Sequence, residues 1–228
     1  MTLTAVSAPP QFVDAFAAME LRIKAFFSEV TMMPEMGKME IGGMRFRYSQ
    51  SEGLATAFRD TLTGVYGEKG AEQILYKLGK SLGAVEGTTF HKRFGLTEPI
   101  EKLAAGPVYF AYSGWAFVEI LPSSAPSPDE DYILTYNHPN SFEADAYINN
   151  GMKADHPICW INAGYSAGWC SSSFDIPLEA REITCTAMGA PACTFIMTHR
   201  NKIIQRVDRF RELLMTKRPE DVTTEELL

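Results

Sequence analysis

The sequence predicts a mixed α/β domain of the α+β kind, an antiparallel sheet with helices packed against it. Three observations point there. Of 228 residues, 46% are apolar and 21% charged, the balance of a globular chain with enough apolar surface for a sizeable core. Near both ends apolar residues recur at helical spacing. Between them lie short runs rich in β-branched and aromatic residues, punctuated by Gly, Pro and Ser.

In chain order, residues 1–11 are small, polar and proline-containing, which predicts a loose arm. Over 12–30 the side chains Phe12, Phe16, Met19, Ile23, Phe26 and Phe27 share one helical face. That face needs cover, from a second copy or a linker, or from the helix's own domain. Residues 39–48 read as a hairpin about Gly42-Gly43. Helices follow at 52–65 and 70–83, parted by Gly67 and Gly70, and a short one at 98–105. After Gly106-Pro107, the β-branched and aromatic content of 108–121 predicts a long strand. The Ser-, Pro- and acid-rich 122–131 is a surface turn; 132–136 resumes as strand and 141–148 continues it past Pro139.

Pro157 suits a first helical turn, and the helix predicted at 158–173 carries Gly164 and Gly168, which permit close approach of another backbone. Residues 178–185 and 192–198 read as two strands joined by Met188-Gly189-Ala190-Pro191. An amphipathic helix at 202–214 and a charged tail close the chain. The organisation expected is an arm and helix at 1–35, a central domain at 36–200, and a terminal helix and tail at 201–228.

The formal net charge is -7, with Lys and Arg scattered, so the cationic footprint that nucleic-acid backbones require is missing. No run of about 18 apolar residues is present to span a bilayer, and the start lacks the layout of a signal peptide. A cytoplasmic protein is expected. No phosphate-cradling glycine loop and no helix-turn-helix pattern occurs, so any ATPase or DNA-binding output would lie elsewhere.

All four cysteines fall between Cys159 and Cys193, and in a reducing compartment such clustering argues for metal before disulfides. A hairpin would bring Glu182, Cys185 and Cys193 together, with Cys159 in reach from the preceding helix. Four such donors suit tetrahedral zinc in a closed, structural site. On spacing alone these are equally small buried hydrophobes, and His156 and Cys170 compete as ligands. A second set, Phe110, Tyr112, Trp115, Phe117, Tyr136 and His138, alternates along the predicted strands and would either line an aromatic-rich cavity or form plain core.

Pro157-Ile-Cys-Trp, Gly164-Tyr-Ser-Ala-Gly168-Trp169, Glu182-Ile-Thr-Cys185, Gly189 and Ala192-Cys193 resemble the 4-vinyl reductase domain over about 45 residues. They are most similar to the copy in the sensors of phenol- and xylene-responsive sigma-54-dependent activators. A weaker match, carried by Ser141-Phe142-Glu143 and Gly106-Pro107, reaches back to about residue 36. The resemblance implies a compact fold related to the Golgi transport particle, dimeric through its N-terminal part. It also implies zinc held by Cys159, Glu182, Cys185 and Cys193 across residues 155–198, with no role for Cys170. It further implies an enclosed apolar pocket for a small aromatic effector, to which Trp160 and Tyr165 are added as lining. In phenol-responsive members a histidine and a tryptophan grip the hydroxyl; the positions placed there are Phe117 and His138, so that polar pair is lost or rearranged.

Three functions follow. The first is a zinc-stabilised sensor of a hydrophobic or aromatic small molecule, acting through the terminal helix on an output domain or partner and more a binding module than an enzyme. The second is an accessory or reductase-like factor in tetrapyrrole synthesis, weakened by the lack of a dinucleotide fingerprint to hold a hydride donor. The third is a dimeric adaptor that uses the 12–30 helix and the methionine-rich stretch Met32, Met33, Met36, Met39 and Met44 as a sticky surface.

Overall fold

The computed structural model describes residues 3–228. It holds two sheets and seven α-helices among those residues: β1 (Val6–Ser7), α1 (Val13–Ser28), β2 (Val30–Met33), β3 (Lys38–Ile41), β4 (Met44–Phe46), α2 (Phe58–Phe94), α3 (Pro99–Tyr112), β5 (Val118–Ile120), β6 (Ile133–His138), α4 (Phe142–Asn149), α5 (Trp160–Phe174), β7 (Leu178–Thr184), β8 (Cys193–His199), α6 (Ile203–Leu214) and α7 (Thr224–Leu227). The main sheet runs β1-β5-β6-β8-β7, antiparallel except where β1 joins β5, and β2-β3-β4 form a separate antiparallel ribbon. The expected α+β architecture is the one observed.

β6 is central and buried on both faces. Tyr132, Leu134 and Tyr136 belong to the main core with α1, α3 and α5. On the opposite face Ile133 and Ile196 of β8 meet Ile203, Val207, Phe210 and Leu213 of α6. The period of two along the strand and of 3.6 along the helix sort these side chains to their layers. The terminal helix therefore lies on its own sheet. Arg206 anchors it, donating to the Tyr132 carbonyl at 3.0 Å and pairing with Asp131 at 3.1 Å.

The apolar face of α1 is likewise covered within the chain: Phe16, Met19, Ile23 and Phe26 are buried in the main core. The hairpin turn at Gly42-Gly43 is present, with φ of 55° and 75°, the positive pair that a two-residue turn of this hand demands and that glycine adopts without strain.

Four sequence expectations fail. The described part of 1–11 is not a loose arm: Val6–Ser7 pairs with β5, and Ala5 and Val6 are buried in the main core, because their apolar side chains complete the edge of the sheet. Residues 108–121 are not one long strand: α3 runs on through Pro107 to Tyr112, and only Val118–Ile120 is strand. Packing on α5 overrides the strand preference of these aromatics, with Trp169 Nε1 donating to the Lys102 carbonyl at 2.9 Å. Residues 141–148 form helix α4, whose first turn carries Glu143 and Asp145, acids favoured by the helix dipole. Finally, the helix predicted to end at 83 continues to Phe94, after a break at Gly67 with φ 70°.

Two glycines inside this longer helix are contact points. Gly79 and Gly83 of α2 face Gly164 and Gly168 of α5, and a Cβ on any of the four would overlap a backbone carbonyl of the partner helix. The close approach expected from Gly164 and Gly168 is thus what joins the two helices.

Candidate metal centre and ligand chamber

α5 positions two sites, one at its start and one along its length. At its N-terminus, Cys159 is the residue before the first helical turn, while β7 and β8 bring Glu182, Cys185 and Cys193 beside it. The backbone kinks where β7 ends: a bulge between Glu182 and Thr184 shifts the register, and Gly189, at φ 98°, closes the turn into β8. Such bulges re-aim side chains at functional corners. One donor atom from each of the four residues lies within 4.8 Å of every other, and all four residues are buried. Cys159 Sγ is 3.6 Å from Cys193 Sγ, which is 3.7 Å from Cys185 Sγ. The group can hold a metal ion.

Its electrostatics fit a cation. Burial pushes the Cys159 thiol and the Glu182 carboxyl well above their ordinary ranges, whereas hydrogen bonds from the thiols of Cys159 and Cys193 pull Cys185 down. Glu182 Oε2 accepts the Cys159 backbone N–H at 2.7 Å, but its Oε1 is buried with no hydrogen-bond partner. Three sulfurs and an unpartnered carboxylate oxygen converging in a dry corner are costly to leave alone. A divalent ion held there would supply the missing charge. The surrounding frame is tight: Glu143 accepts the N–H groups of Ile161 at 3.1 Å and Asn162 at 2.8 Å, and Asn162 donates to Ser141 Oγ, itself 3.1 Å from Cys159 Sγ.

The competing donors stand apart. His156 is paired with Asp155 at 2.6 Å and Glu68 at 3.2 Å on the surface. Cys170 lies in the wall of the second site, where burial raises its thiol to about 12.

That second site is an apolar chamber between α3, α5 and the sheet, lined by Phe110, Tyr136, His138, Tyr165, Trp169 and Met197 among others. Of the eight aromatic and histidine positions singled out from sequence, four line it: Phe110, Tyr136, His138 and Tyr165. Four do not. Trp115 stacks on Phe110 at 5.5 Å and on Tyr165 at 4.9 Å, forming the outer wall, and with Tyr112 it faces an external groove beside the β2-β3-β4 ribbon. Phe117 opens on a shallow pocket with Asn140 and Asn149. Trp160 faces a polar surface cleft and is covered by the Arg59 guanidinium at 4.2 Å.

The correction has one cause. Phe110 and Tyr112 sit on a helix, so alternation puts neither where a strand would. Phe110 packs at 5.5 Å from His138, and Phe117 is not the neighbour expected of it. Trp169, missed from sequence, was visible as the residue four beyond Tyr165 on the same helical face.

His138 is wholly buried, and both ring nitrogens lack a partner. Burial lowers its pKa to about 3, so the ring is neutral and offers one donor and one acceptor. The chamber is nearly filled, with about 30 Å3 free, room for a water or two.

Comparisons with known proteins give a consistent picture. Residues 139–199 match the 4-vinyl reductase domain, and residues 26–124 match the family described as activator of aromatic catabolism. The transcriptional regulatory protein XylR of Pseudomonas putida is 24% identical over 169 residues, 74% of this chain and 30% of that protein. The phenol regulator MopR of Acinetobacter guillouiae is 26% identical over 125 residues, 55% of this chain and 22% of that protein. The chain thus spans under a third of the length of either relative. Among solved structures, the phenol-responsive sensory domain of the transcription activator PoxR, bound to phenol, has a TM-score of 0.70 at 18% identity and covers 92% of this chain and 99% of its own. The resemblance read from the Cys-Trp, Gly-Tyr and Glu-Cys motifs holds.

Proposed function

We propose that this chain, a relative of aromatic-effector sensor domains, binds a small aromatic molecule in the chamber between α3, α5 and β6 and passes that state to an output domain or partner. One observation carries the reading: an imidazole with two unclaimed nitrogens, His138, sealed among aromatic rings. A folded protein rarely leaves such a group unpaired except where a ligand or water completes it. A ring with a polar substituent supplies both the apolar surface and the missing partner. Since little space is free, entry requires rotation of Tyr165 in the lining and of Trp115 in the outer wall behind it.

In the same reading Cys159, Glu182, Cys185 and Cys193 ligate one zinc ion. Three thiolates and a carboxylate fill a tetrahedral shell, leaving no place for substrate water, so the ion is structural. It pins β7 and β8 to the start of α5, the helix that roofs the chamber. The protein is read as cytoplasmic; among the described residues no helix is long and apolar enough to cross a membrane. A homodimer is also inferred. Because the apolar face of α1 is already covered inside the chain, the contact would use outward side chains such as Val65, Tyr66 and Val85 of α2.

The tetrapyrrole reading is less well supported, since a chamber with about 30 Å3 free would have to open much further for a macrocycle than for a single ring. Thermal melting with added phenol or toluene tests the sensor: stabilisation by several degrees is expected, as for any ligand that binds only the folded state. A melting temperature unmoved by every small aromatic would reject it. Elemental analysis of the purified chain tests the zinc.

A further inference from the structure

Along the chamber face of β6, Tyr136 and His138 stand two residues apart with ring centroids 5.2 Å from one another. The Tyr136 hydroxyl and both nitrogens of His138 are buried without a hydrogen-bond partner. Of the other polar groups on the wall, the Tyr165 hydroxyl donates to Glu86 at 2.6 Å and Trp169 Nε1 to the Lys102 carbonyl at 2.9 Å, and the Ser166 hydroxyl stands beside Tyr136. The chamber therefore holds two polar stations, His138 and Tyr136 with its Ser166 neighbour, in a wall that is otherwise mostly apolar. Two orphans side by side are harder to explain by packing than one, because a phenylalanine at 136 would fill the same space against Phe195, on which the ring stacks at 5.0 Å, with no hydroxyl to desolvate.

Both stations are uncharged. Burial drives the His138 imidazole down to about 3 and the Tyr136 phenol above its ordinary range, and no Lys or Arg among the described residues lines the chamber. Nothing there compensates an anion, so a benzoate-like carboxylate would lose its hydration for no return.

We propose that Tyr136 is a second polar anchor and that the chamber selects an uncharged aromatic ring bearing two hydrogen-bonding substituents, one for His138 and one for Tyr136. The inference rests on the sensor reading above and sharpens it from aromatics in general to one class. Hydrocarbons leave both stations empty, and a monohydroxylated ring leaves one.

The test is calorimetric titration of the full chain with toluene, phenol, the three dihydroxybenzenes and benzoate, under reducing conditions. The best-fitting dihydroxybenzene is expected to bind roughly three- to tenfold tighter than phenol, the gain of one buried hydrogen bond. Toluene should be weaker than phenol, and benzoate should not bind. In Tyr136→Phe the ratio of dihydroxybenzene to phenol affinity is expected to fall to about one, whatever the absolute affinity for either ring, and the ligand-free melting temperature does not fall. If that variant fails to fold, the ranking of ligands on the wild-type chain alone decides for or against the second anchor. Phenol and all three dihydroxybenzenes binding equally, or an advantage that survives in Tyr136→Phe, overturns the second anchor but leaves the sensor standing. Failure of every ring to bind overturns both.

Discussion

The two sites along α5 solve opposite problems. At the N-terminal end, four acidic donors are crowded within 4.8 Å, an excess of ligating groups that one cation would satisfy. Around the chamber the polar groups are too few and stand unpartnered, His138 and Tyr136 facing apolar walls. On the reading proposed above, the metal corner would be a closed site that adds to stability, and the chamber an incomplete one that lowers it until a guest arrives. The difference shows why a binding domain profits from a separate staple: the staple offsets orphaned polar groups elsewhere.

The harshest way to break this contrast is at the metal corner. Cys185→Ser or Cys193→Ser should bring zinc content close to zero by elemental analysis. Either should also remove most of a binding free energy on the order of 10 kcal/mol, seen as loss of the cooperative melt. Full metal in either variant would refute the ligand set. Next in size is Gly168→Ala, whose Cβ would overlap the Lys80 carbonyl. Because backbone and not a flexible side chain must give way, about 3 kcal/mol or more should be lost in urea unfolding, with metal retained.

A pH experiment separates the chamber side. His91 packs edge-on against Trp169 at 5.3 Å, and burial lowers its pKa from 6.5 to about 4. A depressed histidine favours the neutral form in the folded state. Its contribution is therefore complete above pH 6.5 and is lost as pH falls from there to about 4. Discounted for partial exposure, this is about 1 to 2 kcal/mol, and His91→Gln should flatten the wild-type slope in that window by this amount. The smallest effect sharpens the assignment: Cys170→Ser should leave metal content unchanged and cost about 1 kcal/mol in melting, since Cys170 belongs to the chamber wall. Loss of zinc from that variant would mean the corner was misassigned.

How much could be read beforehand follows the same divide. The meeting of Glu182, Cys185 and Cys193 was legible because a hairpin is a local object, whereas the choice of Cys159 over His156 and Cys170 came from the family resemblance, since spacing left all three open. The chamber was half legible. Tyr136 and His138 lie on a true strand and Tyr165 on a true helix, so their periodicities held. Phe110 and Tyr112 carry strand-forming side chains on a helix that exists because α5 covers it, and such tertiary overrides leave no trace in local preference. The helix predicted at 70–83 fell short for a related reason: only the packing of Gly79 and Gly83 on α5 accounts for a helix that runs on to Phe94.

That interlock has a mechanical outcome. Gly79, Gly83, Gly164 and Gly168 bring the backbones of α2 and α5 into direct touch, leaving no layer of pliant side chains between them to soak up displacement. A tilt of the chamber roof would therefore be handed undamped to the outer side of α2, where Val85, in the unbroken part of the helix, meets solvent. If the chamber takes a ligand as proposed, the pair would act as a stiff lever, its short arm at the chamber and its long arm at the surface.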